Sequence, residues 1–227
     1  MDIELYFEKY GHGAPLILLH GNGDSHAFFA GQIPTLAKRF TVYAVDTRGH
    51  GQSPMGSKPF TLTQFADDLL GFMNGHGIER AHIVGASDGA NIAMLFALRC
   101  QQRICSLVLN SGNLVPESLA PGFLSDIQRR YAEIADSDDP GARYETALLR
   151  LMIEELHIPS EALRALRVPT LVIAGDDDLI LREHTRLIAD SIPHAKLVFL
   201  SGTHSVAQED PDAFNKALFA FYDAIGA

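Results

Sequence analysis

The residues Gly85-Ala86-Ser87-Asp88-Gly89 follow an apolar run containing Ile83-Val84 and lead into a helical pattern. A serine between two glycines at a strand-to-helix junction is the arrangement that lifts a hydroxyl above the edge of a sheet. The flanking glycines carry no Cβ, so such a turn can be tight and can take unusual backbone angles. The helix that follows aims its N-terminal N–H groups at the same spot, where a developing oxyanion would be stabilised. A serine nucleophile also needs a base and an acid that orients the base. Two later apolar runs end in suitable groups. The run 169–174 opens into Gly175-Asp176-Asp177-Asp178, and 196–200 opens into Ser201-Gly202-Thr203-His204-Ser205. Serine, aspartate and histidine in that chain order suit acyl transfer on a sheet with parallel strands. The three aspartates have a competing reading as a metal loop. A calcium loop spaces its oxygen ligands and needs more of them, so no metal is expected.

These residues must be carried by elements that bring distant strand ends together. The segment 15–19, Pro-Leu-Ile-Leu-Leu, is a continuous apolar run ended by His20-Gly21-Asn22-Gly23, and predicts a strand buried on both faces. A helical stretch over about 25–39 follows, with Ser25 as N-cap. Strand 41–45 is stopped by Asp46-Thr47-Arg48-Gly49-His50-Gly51, a Gly-rich turn read as structural. Helical spacing covers about 61–75, then strand 81–86, a helix over 88–99 and strand 104–109. Strand 169–174, a helix near 180–191, strand 196–200 and a helix over about 211–225 complete the order. Segment 3–8 alternates by two and suits an antiparallel edge strand. Alternating strands and helices imply crossover connections and an α/β fold with a mostly parallel sheet flanked by helices. Residues of about 113–160 break the alternation, with helical patterns near 121–135 and 142–156. A structureless loop of that length is unexpected in a compact domain, so the segment predicts a short helical lid. The chain, 1–227, reads as a single domain with that insertion.

Composition narrows the partners. The chain has 227 residues, 47% of them hydrophobic, and a formal net charge of −10. That charge argues against nucleic acid, whose phosphates need a basic surface. No apolar run approaches the roughly 20 residues that span a bilayer, so no membrane partner is expected. The start, Met1-Asp2-Ile3-Glu4, lacks the positive region of a signal peptide, and a cytoplasmic location is expected. Cys100 and Cys105 are too few and too close for a disulfide framework and predict buried free thiols. No cofactor is implied, and the expected partner is a small ester-like molecule.

Nearly the whole chain resembles the α/β-hydrolase superfamily. The matching stations are His20-Gly21, Asp46-x-Arg48-Gly49-His50-Gly51-x-Ser53, the Ser87 turn, Gly175-x-x-Asp178 and Gly202-x-His204. Within it, Ser87-Asp88-Gly89-Ala90-Asn91-Ile92-Ala93 resembles bacterial hydrolases of unassigned substrate and the valacyclovir-hydrolase-like, or biphenyl-hydrolase-like, group. Two departures stand out: the family's first strand is expected to be missing, and the lid is short. The resemblance implies Ser87 as nucleophile, His204 as base and Asp178 as the acid that orients it. It also implies the backbone N–H groups of Asn22 and Asp88 as oxyanion hole. The Asp88 carboxylate either favours the helix N-terminus, its simpler role, or pairs with a cationic group on the substrate, with Asp24 nearby. The expected activity is hydrolysis of small carboxylic esters through an acyl-enzyme. The same triad could cleave a thioester, amide or C–C bond, and a ligand-binding protein without turnover is the reading from a different class.

Overall fold

Short runs rich in Val, Ile and Leu form seven strands in the computed structural model, which describes residues 2–227. They are β1 (Phe7–Tyr10), β2 (Ala14–Leu19), β3 (Phe40–Val45), β4 (Ala81–Ala86), β5 (Ile104–Asn110), β6 (Thr170–Gly175) and β7 (Lys196–Leu200). One sheet holds them in the order β1-β3-β2-β4-β5-β6-β7. Only β1 is antiparallel to its neighbour, with Phe7 opposite Val45; the other pairings are parallel. Parallel strands need crossovers, and the helices supply them: α1 (Ile33–Leu36), α2 (Leu62–Gly75), α3 (Asp88–Cys100), α4 (Pro121–Ile134), α5 (Pro140–Ile153), α6 (Ser160–Leu163), α7 (Arg182–Ser191), α8 (Val206–Glu209) and α9 (Pro211–Ile225).

Alternation along β2 shows how both faces are covered. Ile17 and Leu19 join one apolar cluster with Leu62, Phe65 and Phe72 of α2, Ile92 and Phe96 of α3 and Ile188 of α7. Leu16 and Leu18 point the other way, into a cluster with Leu36 of α1 and Phe214 and Leu218 of α9. With both faces occupied, the strand has no polar side to show, which is why it reads as a continuous apolar run.

Three expectations change in detail. The helix predicted over 25–39 is two short pieces, a 3-10 turn at His26–Phe29 capped by the Ser25 side chain, and α1. Pro34 near the start of α1 has no N–H to continue a preceding helix, and Gly31 lies where an added Cβ would sit 2.8 Å from Pro211. The edge strand lies at 7–10 rather than 3–8, because Ile3 and Leu5 turn into the core instead of pairing. Cys100 and Cys105 are free, as expected, but only half-buried.

Residues between β5 and β6 form α4, α5 and α6. Helices α4 and α5 share a separate apolar cluster in which Ile127, Ile134 and Leu149 meet Leu119 and Ile180. The pair is joined to the body by two polar contacts from α5: Tyr144 Oη donates to the Gly49 carbonyl at 2.9 Å, and the Leu148 carbonyl accepts from Asn22 Nδ2 at 3.0 Å. Among the described residues, no helix is long and apolar enough to cross a membrane.

Candidate active site

The turn from β4 into α3 is strained at its centre. Ser87 has φ 52° and ψ −120°, in the region where a side chain is rarely found. Such a residue costs of order 1–3 kcal/mol and persists only where its surroundings enforce it. Here the Ser87 N–H donates to the Asn110 carbonyl at 2.8 Å, and the Ser87 carbonyl accepts from the N–H groups of Ala90 and Asn91. The flanking glycines allow the tight turn that their missing Cβ implies, but they do not take its unusual angles. Neither Gly85 nor Gly89 has a positive φ; both are needed for close approach. A Cβ on Gly85 would lie 2.3 Å from the Gly89 carbonyl oxygen, and one on Gly89 would lie 2.0 Å from that of Leu19. Glycine therefore lets the first turn of α3 press against the ends of β2 and β4, and the serine bears the strain.

His204 and Asp178 come from the loops after β7 and β6, adjacent parallel strands at one edge of the sheet. His204 Nδ1 lies 2.7 Å from Asp178 Oδ1, so Nδ1 carries the proton and Nε2 presents a lone pair. Asp178 also accepts from the Ile180 N–H at 3.0 Å and from Ser111 Oγ at 2.6 Å. Burial pushes its carboxyl up, but the hydrogen bond and charge of His204, with the Ile180 and Ser111 donors, outweigh burial and hold it below the ordinary carboxylate value. The histidine loop is pinned separately. Asp176 Oδ1 accepts from the Gly202 N–H at 3.0 Å, and Glu209 takes both the N–H and the hydroxyl of Thr203. Asp176 and Asp178, two residues apart, thus hold different atoms of one loop.

Asn22, Asp24 and Asp88 lie in the same region as Ser87 and His204. All five line one cavity of about 320 Å³, together with apolar side chains that include Leu119, Phe123 and Met152. Asn22 spends both amide hydrogens, one on Asp88 Oδ2 at 2.9 Å and one on the Leu148 carbonyl. Asp88 Oδ1 accepts from Asn91 at 3.2 Å, and Asn91 is tied in turn to Asn113. Burial pushes the Asp88 carboxyl above its usual range, opposed by the two amides and by His204. Asp24 caps locally, accepting from the Ser25 N–H at 2.8 Å. No hydrogen bond from Ser87 Oγ is found among the described residues, and His204 makes its bond to Asp178 through Nδ1.

Ser111, Asn91 and Asn113 were not singled out from the sequence. Their signal was faint: Asn91 interrupts the apolar stretch 90–94 of α3, and Ser111 and Asn113 follow the apolar strand β5. Ser111 carries a second sign, a φ of 53° at the tip of β5. His20 and His50 hold turns: His20 Nδ1 donates to the Gly21 carbonyl and its Nε2 accepts from the Thr47 N–H, and His50 Nδ1 donates to the Arg48 carbonyl.

A family model described as the alpha/beta hydrolase fold matches residues 14–140, and the chain belongs to that family. Its relatives include a putative carbamate hydrolase, RutD, of Caulobacter sp. strain K31, 31% identical over 96% of this chain and 95% of that protein. Among solved structures, a thermophilic esterase from Thermogutta terrifontis is 25% identical, with a TM-score of 0.84 over 99% of this chain and 95% of that one. The enol-lactonase from Burkholderia xenovorans LB400 is also 25% identical, with a TM-score of 0.81 over 97% of each chain. The chain is a hydrolase by family, and its sheet is the mostly parallel one that the sequence predicts.

Proposed function

We propose that the chain is a serine hydrolase that cleaves small carboxylic esters through an acyl-enzyme on Ser87. The observation that carries this reading is the strained Ser87 turn opening into the same cavity as an imidazole whose Nδ1 is held by Asp178. In this reading Ser87 Oγ attacks the ester carbonyl carbon while His204 Nε2 takes the hydroxyl proton. Asp178 holds the imidazole in that tautomer and stabilises the imidazolium. The oxyanion accepts hydrogen bonds from the N–H groups of Asn22 and Asp88, each worth about 3 kcal/mol in the transition state. Collapse breaks the bond to the alcohol, which leaves with the proton from His204. Water then attacks the acyl carbon while His204 Nε2 takes its proton; the bond to Ser87 Oγ breaks, Oγ receives that proton from His204, and the acid is released. Catalytic hydrogen bonds commonly tighten only on substrate, so an unpartnered Ser87 Oγ is compatible with these steps.

Three further assignments belong to the same reading. The segment 113–160 acts as a lid on a single domain, its Phe123 and Met152 closing the apolar side of the cavity. The Asp88 carboxylate, engaged by two amides, holds Asn22 beside the nucleophile, and Asp24 faces the substrate. A cytoplasmic setting is part of the same reading, resting on a start, Met1-Asp2-Ile3-Glu4, without the positive region of a signal peptide. The test is labelling by a fluorophosphonate probe with peptide mapping. Stoichiometric labelling at Ser87 is expected, absent in Ser87→Ala and at least a hundredfold slower in His204→Ala. A folded wild-type protein that takes no label overturns the reading.

Carbamate cleavage is the second reading, favoured by the RutD relative's coverage of nearly the whole chain. The same steps would pass through a carbamoyl-serine. Matched phenyl acetate and phenyl carbamate separate the two, by which shows the larger kcat/KM once each is corrected for its hydroxide-catalysed rate.

A further inference from the structure

We infer that this cavity selects substrates whose leaving group carries no negative charge; the inference rests on the serine-hydrolase reading and narrows its substrate class. The observation is the set of charged groups facing the ligand. Asp24 and Asp88 line the cavity, and among the described residues no lysine or arginine does. Arginines of the flanking elements are committed elsewhere: Arg182, two residues past the lining residue Ile180, lies over the Phe199 ring at 3.9 Å. Arg48 is sealed against Asp68 and Asp2, Arg130 of α4 forms a two-pronged pair with Glu145, and Arg150 of α5 pairs with Glu154.

A carboxylate or phosphate entering such a cavity loses water and finds no lysine or arginine to replace it, and the one imidazole on the wall, His204, is needed by the reaction as a neutral base. The remaining strong donors for an anion are the N–H groups at the head of α3, which the reaction needs for the oxyanion. A charged substrate group would either compete for those donors or lie beside two aspartates. The same arrangement favours turnover of a neutral ester. The acid released from Ser87 is itself an anion and is repelled from the site in which it forms, so the product does not accumulate there.

The test uses three acetate esters of one size that differ at the para position of the phenol: 4-acetoxybenzamide, 4-acetoxybenzoate and the 4-acetoxy-N,N,N-trimethylanilinium ion. Each kcat/KM is divided by the hydroxide-catalysed rate, which removes the leaving-group effect. The benzoate is expected to fall at least tenfold below the benzamide at low salt, equivalent to about 1.4 kcal/mol. The trimethylanilinium ester is expected to match or exceed the benzamide. High salt should narrow the benzamide-to-benzoate ratio, because screening acts on charges and not on shape. Asp24→Asn should narrow it further. That change removes one charge from a net −10, too little for a global field to explain a several-fold change in the ratio. Benzoate and benzamide esters hydrolysed within twofold of each other overturn the inference, as does a ratio that neither salt nor Asp24→Asn moves. Calorimetric titration of the same compounds into Ser87→Ala reads the preference without turnover. Phosphonate labelling with no charge preference therefore sinks the inference alone. Missing labelling sinks the catalytic reading, and the titration still decides the charge preference.

Discussion

Asp178 accepts three hydrogen bonds, and the one from Ser111 is the least expected. Ser111 sits in a left-handed conformation with φ 53°, nearly fully buried, and its hydroxyl lies 2.6 Å from Asp178 Oδ2. Asn110 Nδ2 donates to the same hydroxyl oxygen at 2.6 Å, so the hydroxyl hydrogen is left to point at the carboxylate. Removing it in Ser111→Ala takes away one of the donors that hold the carboxyl down. The Asp178–His204 pair then binds its shared proton more tightly, and its apparent pKa rises. The expected result is a roughly tenfold loss in kcat/KM near neutrality, in line with about 1.5 kcal/mol for a hydrogen bond to a charged group. The acid limb of the pH–rate profile should move to higher pH. A purely structural role would lower activity without moving the limb. Ser111 also marks where sequence reading stopped. Ser87, His204 and the aspartate run announce themselves through turn glycines at strand ends. Ser111 touches an aspartate 67 residues away, an adjacency that exists only because β5 and β6 are neighbours in the sheet.

At the scale of elements, the strands and long helices were legible because each carries its own periodicity. The long helix predicted over 25–39 was not, since its break depends on Pro34 and on the approach of α9 to Gly31. The loop after β3 was legible as a turn, but not the reason it holds its shape. Arg48 is fully buried and gives two hydrogen bonds to Asp68 of α2 and two to Asp2. Removing Asp68 leaves the buried Arg48 guanidinium with Asp2 alone, short of two of its four carboxylate hydrogen bonds, at a cost of about 3 kcal/mol. Asp68→Ala is therefore expected to lower the urea midpoint strongly, and a loss below about 1 kcal/mol would sink this account of the loop. Helix α5 makes a second case. It is tethered to that loop by Tyr144 and to the β2 loop through Asn22. Tyr144→Phe removes one net hydrogen bond, worth about 1 kcal/mol. Amide exchange across 140–153 should then speed up about fivefold, with the global midpoint unchanged. Uniform acceleration over the whole chain would mean that Tyr144 serves overall stability and not the attachment of α5.

For the whole molecule, two effects oppose each other as the pH falls. The net charge of −10 and a sequence pI near 5.4 mean that self-repulsion is relieved on acidification, which by itself stabilises the fold. Against this stand histidines folded in as neutral groups. Burial pulls both His20 and His82 down to about 4, and it lowers His50 and His184 as well. The polar contacts of His20 agree, since one ring nitrogen donates and the other accepts. In the unfolded chain these groups titrate near 6.5. Between that value and about 4 the unfolded state therefore binds more protons than the folded one. The stabilisation is fully present above pH 6.5 and is lost as the pH falls through that window. His20 alone accounts for roughly 3 kcal/mol by the bottom of it. The Asp88 carboxyl, raised by burial, works in the opposite sense, but it is one group against four. The histidine effect is expected to win, because surface repulsion is spread over many screened charges while each buried imidazole must leave its site to be protonated. Urea unfolding between pH 7.5 and 4.5 should show stability falling below pH 6.5 by at least about 1.4 kcal/mol per pH unit, the slope for one proton. Unfolding at pH 5 should take up at least about one proton per molecule, measured by the buffer dependence of the unfolding enthalpy. Stability that is flat or rising from pH 7 to 5 would mean that charge relief dominates and that these imidazoles are reached by protons without unfolding.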